Sequence, residues 1–164
     1  MFSDTHMQLS RMEKIILEYA EEVRIVCHLG DHANDLLNLQ AKFPGHTFVA
    51  VPGNCDPPDA GNERVLAFSP CMDAHDAVAR ILLVHGHAHG VRRGLDRLVY
   101  SAKEHGATAA FFGHTHVPFA SKHGGVFVMN PGSLTAPRGG SKASYGLVEV
   151  SPEGEISGKV IAYE

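Results

Sequence analysis

Four short, mostly apolar runs in this chain end beside a glycine and a polar side chain. They are residues 24–29, 47–51, 81–84 and 108–112. Apolar runs of this length, bounded by turn residues, predict buried strands. Between them, apolar residues recur at helical spacing from Leu9 to Val23, and again over 33–41 and 95–102. Strands that alternate with helices predict a layered α/β fold.

The remaining pattern adds strands rather than a second unit. Strands are predicted at 65–68 and 126–129, loops at 57–63 and 136–142, and a closing hairpin from 145–150 and 156–163. The hairpin predicts a mixed sheet or two packed sheets. With 164 residues and 17.7 kDa, the chain fits one domain over residues 1–164.

Composition limits the partners and the compartment. The net charge is −4 and no run of Lys or Arg occurs, which argues against binding nucleic acid or an anionic membrane but leaves small phosphorylated substrates open. The three cysteines lack CxxC spacing, so neither a disulfide framework nor a structural zinc site is indicated. Neither a signal peptide nor a membrane-length apolar segment is visible. A cytoplasmic protein is therefore expected.

Five short segments carry side chains that bind metals, each where a predicted strand runs into a loop. Alone, Asp-x-His at 4–6 fits a ligand site and an ordinary turn equally well, whereas Gly-Asp at 30–31 and Gly-Asn-Cys-Asp at 53–56 are more often ordinary turns. Together they place donors at the carboxyl ends of strands, where ligands collect in α/β folds. One divalent ion needs about four such donors, so seven donors with one shared carboxylate suit two adjacent ions. The predicted ligands are Asp4, His6, Asp31, Asn54, His85, His114 and His116.

The order of these segments resembles the calcineurin-like metallophosphoesterase superfamily. The motifs are Asp-x-His (4–6), Gly-Asp (30–31), Gly-Asn-Cys-Asp (53–56), His-Gly-His (85–87) and Gly-His-Thr-His (113–116). With the short length and Asn-Pro-Gly-Ser at 130–133, they are most similar to the small bacterial and archaeal phosphodiesterases, to which a eukaryotic retromer subunit is also similar. The resemblance implies a two-sheet αββα sandwich with the metals at the ends of central strands.

The resemblance also implies a ligand assignment and a reaction. Asp4, His6, Asp31 and His116 would hold one ion, and Asp31, Asn54, His85 and His114 the other. Manganese is the commonest metal in the family, with iron, zinc or nickel as alternatives, and the mixed N/O ligand set does not decide among them. Paired ions activate a water that attacks phosphorus, so hydrolysis of small organic phosphodiesters is the expected function.

The expected catalytic residues are Asn54, Cys55, Asp56 and His87. Many phosphatases of the superfamily have His where this chain has Cys55. A thiol is a poorer hydrogen-bond donor than an imidazolium, so the sequence predicts weak activity on alkyl monoesters and a preference for diesters with good leaving groups. His87 is predicted as a substrate contact or an indirect support of a ligand. Arg138 is equally compatible with a phosphate clamp and with an ordinary surface residue.

One departure from the family pattern concerns the first strand. Family members usually have five to six extended residues before Asp-x-His, whereas three residues precede Asp4 here. The expected first strand is therefore truncated, which would loosen the placement of Asp4 and His6. This departure, with Cys55, supports a rival hypothesis: a weakly active or inactive protein that uses the fold as a binding scaffold. Base rates favour a homodimer, although no residue pattern indicates one.

Overall fold

The fold is taken from a computed structural model that describes residues 1–6, 9–57, 61–69 and 77–164. Its elements alternate between strands and short helices, as the sequence predicts. Within these residues the helices are α1 (Leu9–Glu18), α2 (Asp35–Gln40) and α3 (Asp96–Glu104). The strands in the same residues are β1 (Ile25–His28), β2 (Thr47–Ala50), β3 (Glu63–Phe68), β4 (Ala79–Val84), β5 (Ala109–Phe111), β6 (Phe119–His123), β7 (Val126–Asn130), β8 (Ser144–Val150) and β9 (Ile156–Ala162).

A five-stranded mixed sheet forms one layer, in the order β3-β4-β5-β7-β6. Its three central strands run parallel, and the two edge strands pair antiparallel to them. Strands β4 and β5 are buried along nearly their whole length, as expected for parallel strands covered on both faces. Their carboxyl ends therefore open at one edge of the sheet.

The second layer is built from two smaller sheets and the first residues of the chain. Strand β1 pairs with β2 in parallel, and β8 pairs with β9 antiparallel. Between them, Phe2 forms an isolated parallel bridge to His28, and Met1 exchanges backbone hydrogen bonds with Gly146 of β8. Residues 1–4 thus connect the two small sheets where the sequence predicts a truncated first strand.

Three apolar clusters fix the order of the layers. One packs α3 on the outer face of the five-stranded sheet, around Leu82, Leu98 and Val128. A second lies between the two layers of strands and includes Leu83 and Met129. The third packs α1 and α2 on the outer face of the second layer. The helices therefore flank two layers of strands, in agreement with the α/β sandwich expected from sequence.

Most predicted elements are confirmed, with boundaries shifted by a few residues. Strand β6 was not predicted, because Phe119–His123 contains few apolar residues. Its hairpin with β7 turns on Gly124 and Gly125, which have φ of 56° and 87°, and a Gly-Gly pair is a recognised hairpin signal. Residues 58–60 of the predicted 57–63 loop lie outside the described residues. Within the described part of the chain, none of the helices is long and apolar enough to cross a membrane.

Candidate metal centre

The predicted donors follow strands whose carboxyl ends meet at one edge of the fold. The backbone there is unusual. Of the described residues other than glycine, six have a positive φ between 45° and 70°: Asp4, His6, Asp31, His32, His114 and His116. Five of these are predicted metal ligands. Left-handed backbone is uncommon for such residues and clusters at functional sites, where the surrounding structure enforces it.

Glycines allow the donor loops to pack against one another. A Cβ on Gly53 would lie 2.2 Å from Oδ1 of Asp31 and 2.3 Å from its backbone nitrogen. A Cβ on Gly113 would lie 1.8 Å from Oγ of Ser3 and 2.9 Å from Oδ2 of Asp4. All four distances are shorter than the contacts that a Cβ makes in folded proteins, so only glycine lets these loops approach. Gly53 and Gly113, which precede the donors Asn54 and His114, are thus a condition of the site.

His85 is oriented as a metal ligand. Its Nδ1 lies 2.7 Å from the carbonyl oxygen of Leu29, so Nδ1 carries the proton and Nε2 presents a lone pair. That lone pair faces Oδ1 of Asn54 at 3.2 Å and Oδ1 of Asp31 at 3.5 Å. Three acceptor atoms that converge without a proton repel one another. A cation between them relieves this repulsion, so the group fits a metal.

His116 has the same arrangement on the other side of the centre. Its Nδ1 lies 2.8 Å from the carbonyl oxygen of Ala136, which leaves Nε2 as an acceptor. Nε2 is 3.1 Å from Oδ1 of Asp4, a buried oxygen that accepts no hydrogen bond. An unpartnered carboxylate oxygen beside an imidazole lone pair again suits a cation.

Asp4 is held firmly by hydrogen bonds, although the strand that the family pattern places before it is short. Its carboxylate is completely buried, and Oδ2 accepts hydrogen bonds from Oγ of Ser3 at 2.6 Å and from the backbone N–H of His114 at 3.0 Å. Ser133 donates a further bond to the carbonyl oxygen of Asp4 at 2.8 Å. The expectation that the short strand loosens Asp4 is therefore not met in this structure.

The electrostatics of the centre prepare the ligands for a cation. Burial raises the pKa of Asp4, which indicates that its charge lacks compensation in the metal-free protein. Burial also raises the pKa of Asp31, but the Cys55 N–H and nearby His85 outweigh it and hold that pKa below its ordinary value. Burial lowers the pKa of His114 to about 4 and lowers the pKa of His116, so both rings are neutral at pH 7.

The remaining donors lie close to this group. The His114 ring centroid is 5.1 Å from that of His85, and the His6 centroid is 5.7 Å from that of His116. Donor atoms of Asp4, Asp31 and His85 all lie within 4.8 Å of one another. All seven predicted ligands are thus gathered at one centre. Their division between two ions remains a prediction.

The predicted catalytic residues have different environments. The ring of His87 lies 5.4 Å from that of His85, and its buried Nδ1 has no hydrogen-bond partner. Cys55 is exposed, and burial followed by the Asp31 carboxylate raises the pKa of its thiol. Asp56 accepts backbone hydrogen bonds from His32 and Ala33 with one oxygen and from Gly53 with the other. These bonds favour a positioning role for Asp56 over the predicted catalytic one.

A buried polar chain beneath the Asp4–His6 loop was not predicted as a unit. Gly30 N–H donates to Nδ1 of His28, whose Nε2 lies 2.8 Å from Oγ1 of Thr5. Thr5 in turn donates to Asp35 at 2.8 Å. His28 is completely buried, and Thr5 is the residue that sequence reasoning missed. Its place between Asp4 and His6 was the available signal.

One histidine outside the predicted ligands also lies at the centre. His32 is half-buried and its ring packs edge-on against His6, with 5.0 Å between centroids. It follows Asp31 directly, and its left-handed backbone turns the side chain back beside the first donor loop. The sequence gives no sign of this turn, because a His in the left-handed conformation is uncommon.

The fold and the centre together define a class of protein: an α/β sandwich whose loops carry a candidate metal site. Residues 1–153 match the family model described as the calcineurin-like phosphoesterase superfamily domain. The chain belongs to this superfamily, as its motifs indicate.

Known proteins support the same assignment. The chain is 30% identical over 147 residues to a probable metallophosphoesterase, YsnB of Bacillus subtilis, covering 89% of this chain and 80% of that protein. It is 35% identical over 112 residues to the phosphodiesterase YfcE of Escherichia coli, covering 63% of this chain and 53% of YfcE. The structure of Vps29 from Chaetomium thermophilum superposes with a TM-score of 0.69 at 15% identity, over 98% of this chain and 94% of Vps29. This last likeness concerns the fold alone.

Proposed function

We propose that this protein is a divalent-metal-dependent phosphodiesterase that hydrolyses small organic phosphodiesters. The observation that carries the proposal is the convergence of unprotonated acceptors at the centre, above all Nε2 of His85 facing Oδ1 of Asn54 at 3.2 Å and Oδ1 of Asp31 at 3.5 Å. The name of the similar YfcE supplies the reaction class.

The residues divide into two ligand groups that share Asp31. Asp4, His6, Asp31 and His116 would hold one ion, and Asp31, Asn54, His85 and His114 the other. Two divalent ions at these positions would supply a nucleophilic water at neutral pH and neutralise charge on the phosphoryl oxygens. We propose manganese as the metal because it is the commonest in the superfamily, and the mixed N/O donors are equally compatible with iron, zinc or nickel.

The chain's own groups orient the metal ligands but offer the leaving group only a weak proton donor. The carbonyl oxygens of Leu29 and Ala136 fix the tautomers of His85 and His116, and neutral rings are the form that binds metal. The side chain at position 55 is the thiol of Cys55, which stays protonated and is a weak hydrogen-bond donor. Leaving groups that need protonation, such as alkoxides of monoesters, should therefore react slowly.

A second candidate function is a binding scaffold. The Cys55 thiol supports it, because many phosphatases of the superfamily have His at this position. The retention of all seven donors in one centre favours the enzyme instead.

For either function we propose a cytoplasmic location, which suits the two free cysteines of the described chain, Cys27 and Cys55. A homodimer is the proposed assembly.

The test is turnover of bis-p-nitrophenyl phosphate by the purified protein, with its metal content measured in parallel. We expect release of p-nitrophenol that requires added manganese and stops with a chelator. We also expect p-nitrophenyl phosphate, the monoester, to react more slowly than the diester. A folded, metal-loaded protein that releases no p-nitrophenol from the diester would leave the scaffold as the better function.

A matched pair of variants separates the centre from general damage. His85→Asn removes the imidazole that faces Asn54 and Asp31 and should abolish turnover. His123 lies on edge strand β6, and its Nε2 forms a hydrogen bond with the exposed Asp96. The control variant His123→Asn should therefore leave turnover unchanged.

A further inference from the structure

Two arginines flank the turn that carries His114 and His116. Nη2 of Arg92 donates to the carbonyl oxygen of His114 at 3.3 Å, from the loop that follows His85. The backbone N–H of Arg138 donates to the carbonyl oxygen of His116 at 3.1 Å. Both side chains are exposed. The guanidinium of Arg92 and the backbone of Arg138 therefore lie at the rim of the metal centre.

Among the described residues, no carboxylate neutralises either guanidinium. In the described part of the chain, all of the ion pairs involve other residues, and the side chains of Arg92 and Arg138 contact no carboxylate. The chain as a whole carries a net charge of −4, so unpaired positive charge at this rim runs against its overall balance.

A simple phosphodiester does not account for these charges. It carries one negative charge, on the group that the metal centre binds. Two further guanidinium groups match a second anion on the same molecule, since guanidinium binds phosphate and carboxylate through paired hydrogen bonds. We propose that Arg92 and Arg138 form a subsite for a second phosphate or carboxylate group of the substrate. This inference rests on the proposed phosphodiesterase function and specifies its substrate class.

The test compares two chromogenic diesters that differ in one group. Thymidine 5′-(p-nitrophenyl phosphate) carries a single anion, and its 3′-phosphorylated form carries a second. For the wild-type protein we expect the added phosphate to lower KM about tenfold with kcat little changed, the lower end of what a hydrogen bond between charged groups contributes. High salt should reduce the difference, because both arginines are exposed.

The variants are Arg92→Gln and Arg138→Gln, each of which should remove most of the KM difference between the two esters. The matched controls are Arg93→Gln and Lys142→Gln. Both control residues are exposed and lie in the same two loops, and both should retain the full preference. Thermal unfolding should be unchanged in all four variants, because the altered side chains are at the surface.

The outcomes separate this inference from the proposed function. Equal KM values for the two esters in the wild type, or an equal rise of KM for both esters in Arg92→Gln, would overturn the subsite while the phosphodiesterase stands. If neither ester is hydrolysed, the proposed function fails and calorimetric binding decides the subsite. The subsite then predicts that thymidine 3′,5′-bisphosphate binds about tenfold more tightly than thymidine 5′-monophosphate, and that Arg92→Gln abolishes the difference. Equal binding of the two nucleotides contradicts it.

Discussion

Oδ1 of Asp4 and Nε2 of His116 lie 3.1 Å apart without a hydrogen bond between them. The carboxylate of Asp4 is completely buried and therefore has no access to water. The ring of His116 already donates its proton from Nδ1 to the carbonyl oxygen of Ala136. Burying a charge without a partner costs stability. The fold tolerates this arrangement because a cation is its natural partner, so metal binding and stability should be coupled at this pair.

Asp4→Asn should show the coupling as a loss of metal-induced stabilisation. A metal present at about 100 times its Kd adds about 2.7 kcal/mol to the free energy of unfolding, which raises Tm by about 5–10 °C in a chain of this size. The wild type should show this rise with manganese, and Asp4→Asn should lose most of it. Without metal the variant should unfold at the wild-type temperature or above, because a buried charge has been removed.

Differential scanning fluorimetry with manganese or a chelator measures both effects. Asp96→Asn is the control, since the Asp96 side chain is 97% exposed and its removal should leave the rise in Tm intact. A full manganese-dependent rise in Asp4→Asn would contradict the role of Asp4 as a ligand.

Gly53→Ala should disable the centre through a single methyl group. The new Cβ would overlap Oδ1 and the backbone nitrogen of Asp31, so the carboxylate predicted to bridge the ions must move. A displacement of about 1 Å at a catalytic group costs about 100-fold in rate, and we expect at least this loss of kcat together with a lower bound-metal content.

Gly45→Ala is the matched control for this change. A Cβ on Gly45 meets nothing within 4 Å, so the variant should retain wild-type metal content and turnover. Metal analysis of the purified proteins, combined with diester kinetics, distinguishes the two. Wild-type activity in Gly53→Ala would show that the position of Asp31 is not critical.

The sequence could predict the location of the centre because strand ends are visible in it. Buried strands such as β4 and β5 are short apolar runs, and the donors follow them directly. The left-handed backbone of Asp31 and His114 was not predictable, because it is imposed by neighbouring loops rather than by the residues themselves. Strand β6 was missed because it pairs with β7 at the edge of the sheet, and its own side chains are mostly exposed.

Contacts between distant residues were the other limit. The hydrogen bonds from His28 to Thr5 and from Thr5 to Asp35 span 23 and 30 residues, and nothing local in the sequence indicates them. The same holds for Asp56, whose bonds to the backbone of His32 and Ala33 cross between two loops. A polar residue beside a motif suggests a role in the site. Its hydrogen-bond partners, which are distant in the sequence, show whether that role is catalysis or positioning.

Cys55→His should raise monoester hydrolysis relative to diester hydrolysis. The imidazole supplies the stronger proton donor that the thiol lacks, and general acid catalysis typically contributes about 100-fold or more. The exposed position of Cys55 has room for the larger ring. We expect kcat/KM for p-nitrophenyl phosphate, and more so for alkyl monoesters, to increase.

Cys55→Ser is the control, since it removes the thiol without adding an imidazole, and its ratio of monoester to diester activity should stay near the wild-type value. A Cys55→His protein that binds metal normally but shows no gain on monoesters would refute the leaving-group explanation.

His28 should make the metal-free protein sensitive to acid. Burial lowers the pKa of His28 from 6.5 to about 3, so between these values the unfolded chain binds a proton that the folded chain does not. The contribution of neutral His28 to the free energy of unfolding is complete above about pH 6.5 and is lost as the pH falls towards 3, at about 1.4 kcal/mol per pH unit.

Urea denaturation with a chelator at pH 7, 6 and 5 measures this effect. The free energy of unfolding should decline less steeply with falling pH in His28→Gln than in the wild type. His123→Gln, on edge strand β6, should keep the wild-type slope. Parallel declines in the wild type and His28→Gln would show that His28 is not buried as a neutral ring.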